Sequence, residues 1–168
     1  MWIVSGPTIW KMDSEKEIKV IIAGSRKFND YEILRDFCDY LLANKVSEGY
    51  KITIISGHAR GADMLGERYA KEKGYDLIVM EANWPKYKKN AGRIRNNKMA
   101  EIGNALIAFP IGESPGTRHM IEVARKNNLM VREIKEEKNS VLIQKYDDFF
   151  RIRILLNKKG TYVAHFFG

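Results

Sequence analysis

The sequence is poor in several features that mark whole classes of protein. Its single cysteine, Cys38, excludes an internal disulfide and with it a disulfide-stapled secreted domain. No apolar run approaches the roughly 18 residues that a membrane helix needs. Residues 1–10 lack the basic start and the continuous apolar stretch of a signal peptide. We therefore expect a cytoplasmic protein that does not enter the membrane, with Cys38 as a buried structural thiol.

Common ligand-binding motifs are absent as well. No glycine-rich segment runs into the Gly-Lys-Ser/Thr of a Walker A loop, and no Gly-x-Gly-x-x-Gly follows the first predicted strand, so ordinary NAD binding is not supported. The three histidines, His58, His119 and His165, show no metal-ligand spacing. We predict no cofactor and no metal-ligating residue, and interpret His58 as a loop histidine; the sequence leaves a metal requirement open.

The charge balance favours anionic partners. Lys and Arg number 29 against 21 Asp and Glu, a formal net charge of +8. Nucleotides, nucleic acid and anionic surfaces all fit this surplus, and so does a soluble protein with one basic face. A length of 168 residues gives room for one domain with a small appendage.

Short apolar runs alternate with helical patterns from residue 18 to about residue 135. The runs are rich in β-branched residues, and this composition is typical of strands buried on both faces. Asn29 is the predicted N-cap of the first helix, with Glu32 completing a capping box. Five strands alternating with four helices predict a parallel sheet, in the order 3-2-1-4-5, with helices on both faces. The predicted strands are 18–23, 52–55, 77–80, 105–109 and one from 129; the later helices are about 61–73, 90–102 and 115–128.

The tail lacks helical periodicity. Residues 151–154 alternate, and 157–160 resemble a hairpin connection to 161–163, so we predict an antiparallel β appendage, paired with residues 2–4. Its apolar end, 163–167, needs burial, either on the core or in a subunit interface.

Three loops of the predicted sheet carry unusual chemistry. Ligands of open parallel sheets bind beyond the carboxyl ends of the strands, so the loops after strands one, two and four are candidates. Glycine permits close backbone approach, arginine forks onto phosphate, and helix N-termini attract anions. Asp63 is expected to contact a ribose or base, or simply to cap its helix. The candidate residues are Gly24, Ser25 and Arg26; Ser56, Gly57, Ala59, Arg60, Gly61 and Asp63; and Ser114, Pro115, Gly116 and Thr117.

A basic stretch lies between the second and third of these loops. Residues 84–96 interleave Trp84 and Tyr87 with lysines and arginines, a pattern that suits phosphate contacts and base stacking. We expect Trp84 to cover a base, and Arg93 and Asn96 to join the site. The alternative is a basic surface loop.

These motifs, in this order, resemble the YspA-type, YpsA-related branch of the SLOG superfamily of Rossmann-like proteins. The segments that carry the resemblance are 24–26, 56–57 with 59–63, 92–96 with Met99, and 114–117. The superfamily also contains cytokinin-activating phosphoribohydrolases of the lysine-decarboxylase-like type and the DNA-processing protein DprA, and the branch is found in bacteria and phages. The resemblance implies a nucleotide-derived ligand, and a homodimer by analogy with SLOG relatives.

The catalytic motif of the phosphoribohydrolases is only partly present. That motif reads Pro-Gly-Gly-x-Gly-Thr-x-x-Glu, whereas this chain keeps Pro115, Gly116 and Thr117 without the double glycine. Glu122 follows Thr117 by five residues instead of three, which displaces it by about 200° around a helix. The resemblance makes Glu122 and Arg95 the catalytic candidates.

We therefore predict a Rossmann-like three-layer α/β sandwich with a mainly parallel five-stranded sheet. Residues 1–17 form an N-terminal extension, 18–137 the SLOG domain and 138–168 the antiparallel appendage. The first functional hypothesis is binding of a nucleotide or nucleotide-derived ligand, for sensing, sequestration or processing of a signal nucleotide. The alternatives are hydrolysis of an N-glycosidic or phosphoester bond, and DprA-like binding of nucleic acid.

Overall fold

The computed structural model describes residues 16–137, 140–144, 151–156 and 162–167, and the side chains of residues 16–134. Strands and helices alternate along residues 17–137, with bounds close to those predicted. The parallel strands are β1 (Glu17–Gly24), β2 (Lys51–Ser56), β3 (Asp76–Val79), β4 (Ala105–Phe109) and β5 (Met130–Glu137). The helices are α1 (Tyr31–Ser47), α2 (Ala62–Lys73), α3 (Trp84–Tyr87), α4 (Ala91–Ile102) and α5 (Pro115–Lys126), with a 3-10 turn at Lys88–Asn90.

The five strands form a parallel sheet in the order β3-β2-β1-β4-β5, which confirms the prediction. β1 lies between β2 and β4, and its last residue, Gly24, pairs with Phe109 at the end of β4. The chain moves outward from β1 through β2 to β3 and then returns to the other side of β1 as β4. A crevice therefore opens between the loops that leave β1 and β4.

Both faces of the sheet are covered. The alternation of side chains along β1 directs Ile22 toward Phe37 of α1, and directs Ile21 toward Met99 of α4 and Met120 of α5. Ile21 and Ile22 have no exposed surface at all. The continuous apolar run of β1 thus results from burial on two faces, as expected for a parallel strand.

Two helix ends differ from the prediction. Asp30, not Asn29, is the N-cap of α1, and its carboxylate accepts a hydrogen bond from the Ile33 backbone N–H at 3.0 Å. Both residue types cap helices well, so sequence alone leaves the choice between the two neighbours unresolved. α5 ends at Lys126 rather than near Asn128.

The basic stretch after β3 begins with the short helix α3. The sequence predicts no helix in this stretch before about residue 90, and a basic surface loop is one interpretation of it. The Asn83 side chain caps α3 by accepting from the Lys86 N–H at 3.0 Å, and Pro85 occupies the first turn. An asparagine shortly before a proline is a typical helix start, and it is the local signal for α3.

The sheet order continues β5-β6-β7-β8, with antiparallel pairing of β6 (Ser140–Gln144), β7 (Arg151–Leu156) and β8 (Tyr162–Phe167). That residues 138–168 form a separate appendage stays a prediction. The burial of its apolar end, 163–167, also stays a prediction, because the side chains of these residues lie outside the described part. The predicted hairpin connection at 157–160 and the predicted pairing with residues 2–4 also lie outside the described residues. Within the described part of the chain, no helix is both long and apolar enough to cross a membrane.

Candidate functional site

Two adjoining cavities lie at the carboxyl edge of the parallel sheet. The larger, of about 470 Å³, fills the crevice between β1 and β4, and we call it the crevice cavity. The smaller, of about 240 Å³, lies beside it toward β3, and we call it the side cavity. Arg26, Ala59, Arg60 and Arg95 line both. The crevice cavity is lined by residues 23–27, 59–60, 63, 95–96, 113–117 and 120, and the side cavity by 26, 57–60, 81–82, 84 and 95.

Most of the candidate residues meet at these cavities. Four of them line neither cavity. Ser56 is buried at the end of β2, and Gly61 packs against the Ser25 carbonyl. Arg93 and Glu122 are exposed on α4 and α5, outside both cavities. Those that line the crevice cavity are Gly24, Ser25, Arg26, Ala59, Arg60, Asp63, Arg95, Asn96, Ser114, Pro115, Gly116 and Thr117. Gly57 and Trp84 line the side cavity.

Two glycines let the first and second loops touch. A Cβ on Gly24 would lie 2.6 Å from the Ala62 Cβ, so only glycine lets the end of β1 approach the start of α2. Gly61 has φ +82°, and a Cβ there would lie 2.2 Å from the Ser25 carbonyl oxygen. These glycines are therefore explained by packing and backbone conformation, without a ligand.

The start of α5 presents free backbone N–H groups to the crevice cavity. Its N-cap, Ser114, makes no side-chain bond to the helix backbone, because its hydroxyl pairs with the Thr117 hydroxyl at 2.6 Å. Within the described chain, the N–H groups of Gly116 and Thr117 have no acceptor. Free N–H groups together with the helix dipole favour an anion at such a turn.

The start of α2 is less open than the sequence suggested. The Ala62 N–H donates to the Ser25 carbonyl at 3.4 Å, and the Met64 N–H donates to the Ala59 carbonyl at 3.3 Å. Of the first three helical N–H groups, only that of Asp63 lacks an acceptor among the described residues, so the second loop contributes mainly the Arg60 side chain and the Asp63 carboxylate.

Asp63 is a buried carboxylate at the floor of the crevice cavity. Its Oδ1 accepts from the Gly24 N–H at 3.3 Å and its Oδ2 from the Ala59 N–H at 3.5 Å. Burial raises the pKa of Asp63 to about 6, although Arg95 and the two N–H groups oppose that rise. Asp63 therefore ties the second loop to the end of β1 and still presents a carboxylate to the cavity.

Arg95 and Asn96 of α4 connect the second and third loops. The Arg95 guanidinium donates to the Gly57 carbonyl and, through Nε, to Asn96 Oδ1 at 3.1 Å. Burial lowers the pKa of Arg95, and the neighbouring Arg26 charge lowers it further. Asn96 is buried and donates to the Gly116 carbonyl at 3.1 Å, which fixes the start of α5.

The mouth of the cavities is positively charged. Arg26 and Arg60 are exposed, and neither forms an ion pair with any carboxylate of residues 16–134. Arg95, between them, also lacks a salt bridge in that range. Unpaired guanidinium groups at a concave surface favour an anionic ligand such as a phosphate.

The structure gives no support to Glu122 as a catalytic residue. Glu122 is exposed on α5 and lines neither cavity. The residue three positions after Thr117, where the phosphoribohydrolase motif has its glutamate, is Met120, which is buried and lines the crevice cavity. The cavity thus presents a thioether where that motif places a carboxylate.

Sequence reasoning missed a second acidic residue near the site. Glu67 is buried on α2, and its Oε1 lies 2.8 Å from the Ser56 hydroxyl and 2.8 Å from Nδ1 of His58. The hydrogen bond to Glu67 raises the pKa of His58. Glu67 follows Asp63 by four residues, so both lie on one helix face, and this spacing was the signal available.

Comparison with known proteins agrees with this architecture. The model of the YspA, cpYpsA-related SLOG family (YAcAr) matches residues 18–87, which extend from β1 to α3. The Gene 61 protein of Mycobacterium phage D29 is 33% identical over 120 residues, 67% of this chain and 93% of that protein. The chain belongs to the YspA, cpYpsA-related SLOG family. The predicted resemblance is thereby confirmed.

The SLOG chain also resembles a solved structure. The X-ray structure of DNA processing protein A (DprA) from Streptococcus pneumoniae matches with a TM-score of 0.54 at 16% identity. The match covers 73% of this chain and 51% of the DprA chain, so the SLOG chain spans about half the length of that protein. At this identity the likeness supports the Rossmann-like fold alone.

Proposed function

We propose that the protein binds a nucleotide or nucleotide-derived ligand at the carboxyl edge of its parallel sheet. The observation that carries this proposal is the convergence, in one crevice, of free N–H groups at the start of α5 with the unpaired charges of Arg26 and Arg60. A phosphate on this turn receives backbone hydrogen bonds and charged hydrogen bonds together.

The rest of the ligand has a place beside that phosphate. The side cavity adjoins the crevice cavity, and Trp84, which is 48% exposed, stands at its rim as a surface for a base. The Asp63 carboxylate is an acceptor for a ribose hydroxyl or a base N–H, since a pKa of about 6 leaves it mostly ionised at neutral pH. Cavities of a few hundred Å³ with convergent polar groups are typical small-molecule sites.

Thermal stabilisation against a panel of nucleotides, nucleotide sugars and ADP-ribose-type compounds tests the proposal. A ligand at 100 times its dissociation constant adds about 2.7 kcal/mol to the free energy of unfolding, which is readily measured in a domain of this size. A panel without a single stabilising compound would contradict a nucleotide site.

Arg60→Ala tests the phosphate contact within that site. We expect the affinity for the best compound of the panel to fall by about 1.5–3 kcal/mol, the range for a hydrogen bond to a charged group. Arg68→Ala is the matched control, because Arg68 lies over the Tyr31 ring, away from both cavities. Equal titration curves for the two variants would remove Arg60 from the site.

Nucleic acid is the second candidate ligand. Lys86, Lys88 and Lys89 are exposed and follow Trp84 within five positions, and their charges suit an anion longer than a nucleotide. Hydrolysis by Glu122 and Arg95 has no such support, because Glu122 lies outside both cavities. A cytoplasmic location, a homodimer and the absence of a cofactor stay predictions.

A further inference from the structure

His58 is held by a buried carboxylate next to the side cavity. Glu67 Oε1 accepts a hydrogen bond from the Ser56 hydroxyl and another from His58 Nδ1, both at 2.8 Å. A carboxylate at neutral pH only accepts, so the proton of the neutral imidazole lies on Nδ1 and Nε2 keeps its lone pair. Glu67 therefore fixes both the tautomer and the orientation of the ring.

The ring that carries the second nitrogen, Nε2, lines the side cavity. The His58 side chain is 40% exposed and lines that cavity, and its Nε2 lies 4.0 Å from Glu81 Oε1, beyond hydrogen-bond distance. Among the described residues, none forms a hydrogen bond with Nε2. Arg26, Arg60 and Arg95 line the same cavity, so a basic nitrogen and three guanidinium groups share one small space with the Glu81 carboxylate.

The backbone at His58 is in a conformation that residues other than glycine adopt uncommonly. Its φ is +58°, in the left-handed region, where glycine or asparagine is the usual residue. The His58 N–H donates to the Ser56 hydroxyl at 3.0 Å, which helps to hold this geometry. A strained residue at the wall of a cavity is an observation that favours a functional role for its side chain.

We infer that His58 is a general base that activates water for hydrolysis of a phosphate ester of the bound nucleotide where the two cavities meet, at the arginines that line both, with Glu67 as its positioning residue. This inference rests on the proposed nucleotide site and adds a reaction to it. It replaces Glu122 with a group that the structure places at the ligand cavities.

The reaction is balanced with water as the only co-reactant. His58 Nε2 accepts one proton of a water molecule while the water oxygen forms a bond to phosphorus. The bond from phosphorus to the ester oxygen breaks, and the leaving oxygen takes up a proton from solvent or departs as a stable anion. The guanidinium groups of Arg26, Arg60 and Arg95 stabilise the charge on the remaining phosphoryl oxygens.

The chromogenic diester thymidine 5′-(p-nitrophenyl phosphate) is a direct probe of this reaction. Wild type is expected to release p-nitrophenolate and thymidine 5′-monophosphate, and the rate is expected to rise with pH as the His58 imidazole loses its proton. The hydrogen bond to Glu67 raises the pKa of the His58 ring most, and the negative charges of Glu67, Glu81 and Asp63 raise it further. Glu67→Gln should therefore shift the rising limb of the pH–rate profile to lower pH.

His58→Asn removes the base while keeping a residue that tolerates positive φ. The rate is expected to fall at least about 100-fold, the lower range for a general base. In His58→Gly, where the backbone is unstrained and the ring is missing, added imidazole should restore part of the rate. Glu101→Gln, at an exposed position of α4 outside both cavities, is the control and should match wild type.

Binding of thymidine 5′-monophosphate, measured by calorimetry on each variant, separates the two proposals. Binding without release of p-nitrophenolate by wild type would overturn the inference and leave the proposed site intact. Equal rates for wild type and His58→Asn, or a His58→Gly variant that does not respond to imidazole, would also overturn it. Release of free thymine in place of p-nitrophenolate would assign the cleavage to the N-glycosidic bond and reject the phosphoester reaction. Absence of thymidine 5′-monophosphate binding, together with a panel without a single stabilising compound, would reject the site itself.

Discussion

Asp63 is a buried carboxylate whose ionisation has a cost for the fold. Its carboxylate has a pKa of about 6 because burial penalises the charge more than Arg95 and two backbone N–H groups favour it. In the unfolded chain the pKa returns to its ordinary value of 3.8. The native state therefore binds a proton more tightly than the unfolded state does, and ionisation of Asp63 destabilises the fold.

The sign of this effect gives a prediction for pH-dependent stability. The contribution of protonated Asp63 is fully present below about pH 4 and is lost as the pH rises through about 6, a change of about 3 kcal/mol. Asp63→Asn cannot ionise, so its free energy of unfolding should gain about this amount relative to wild type between pH 4 and pH 7. Urea unfolding at several pH values measures the difference between the two proteins.

The control for this experiment is Asp36→Asn, which removes an exposed carboxylate on α1. Its difference from wild type should change little over the same pH range, since an exposed ion pair contributes little to stability. A difference between Asp63→Asn and wild type that stays constant from pH 4 to pH 7 would show that the native pKa of Asp63 is not raised.

At the scale of the element, the glycines of the loops fall into two kinds. Gly24 is required by packing, because a side chain there would collide with Ala62 and Phe109. A Cβ on Gly116 would meet no heavy atom within 4 Å among the described residues, and its φ is not positive, so nothing in that part of the fold requires glycine there. A ligand that approaches the first turn of α5 closely would require it.

Gly116→Ala separates these two explanations. Alanine in the first turn of α5 should raise the free energy of unfolding by about 0.4–1 kcal/mol, because it restricts the unfolded chain. Nucleotide affinity should fall roughly tenfold or more, since the new methyl group obstructs a charged hydrogen bond worth about 1.5–3 kcal/mol. Gly24→Ala is the contrasting variant and should lose about 1–3 kcal/mol of stability. Unchanged nucleotide affinity in Gly116→Ala would exclude phosphate from the start of α5.

Helices and strands are predicted well where residues close in sequence determine their ends. The bounds of β1 and β4 are predicted closely because burial on both faces leaves an uninterrupted apolar run, and Gly74 marks the end of α2 because it adopts the left-handed conformation there. The predicted N-cap of α1 is wrong by one residue because Asn29 and Asp30 are chemically equivalent caps. Helix α3 is missed because its start depends on only two residues, Asn83 and Pro85.

The sequence predicts which loops form the candidate site, but it does not predict which side chains contact each other there. The position of the loops follows from strand order, which the alternation of elements determines. Strand order does not determine which guanidinium group of α4 reaches the cavities. Arg93 and Arg95 are both basic, and only the rotation of α4 on the sheet directs Arg95 inward. The contact between Glu67 and His58 depends on a left-handed residue in the second loop, and periodicity does not report that conformation.

At the scale of the whole molecule, the net charge of +8 has two competing explanations. A nucleotide cleft accounts for Arg26, Arg60 and Arg95, which line the side cavity together. A nucleic-acid surface would in addition use the basic residues of the stretch that follows β3, namely Lys86, Lys88, Lys89 and Arg93. The two explanations differ in how many phosphates the protein contacts, and that number is measurable through salt dependence.

A short oligothymidylate, titrated by fluorescence anisotropy between about 50 and 200 mM salt, counts those contacts. Three arginines neutralise three phosphates, so the slope of log affinity against log salt should be about −2 at roughly 0.7 per phosphate of a single strand. Replacing Lys86, Lys88 and Lys89 by glutamine should leave that slope unchanged. If the four basic residues after β3 also bind phosphates, the protein makes seven contacts and the slope should be about −5. In the triple variant four contacts remain, and the slope should weaken to about −3. That outcome would mean that the basic stretch binds the strand and that the cleft is one end of a nucleic-acid interface.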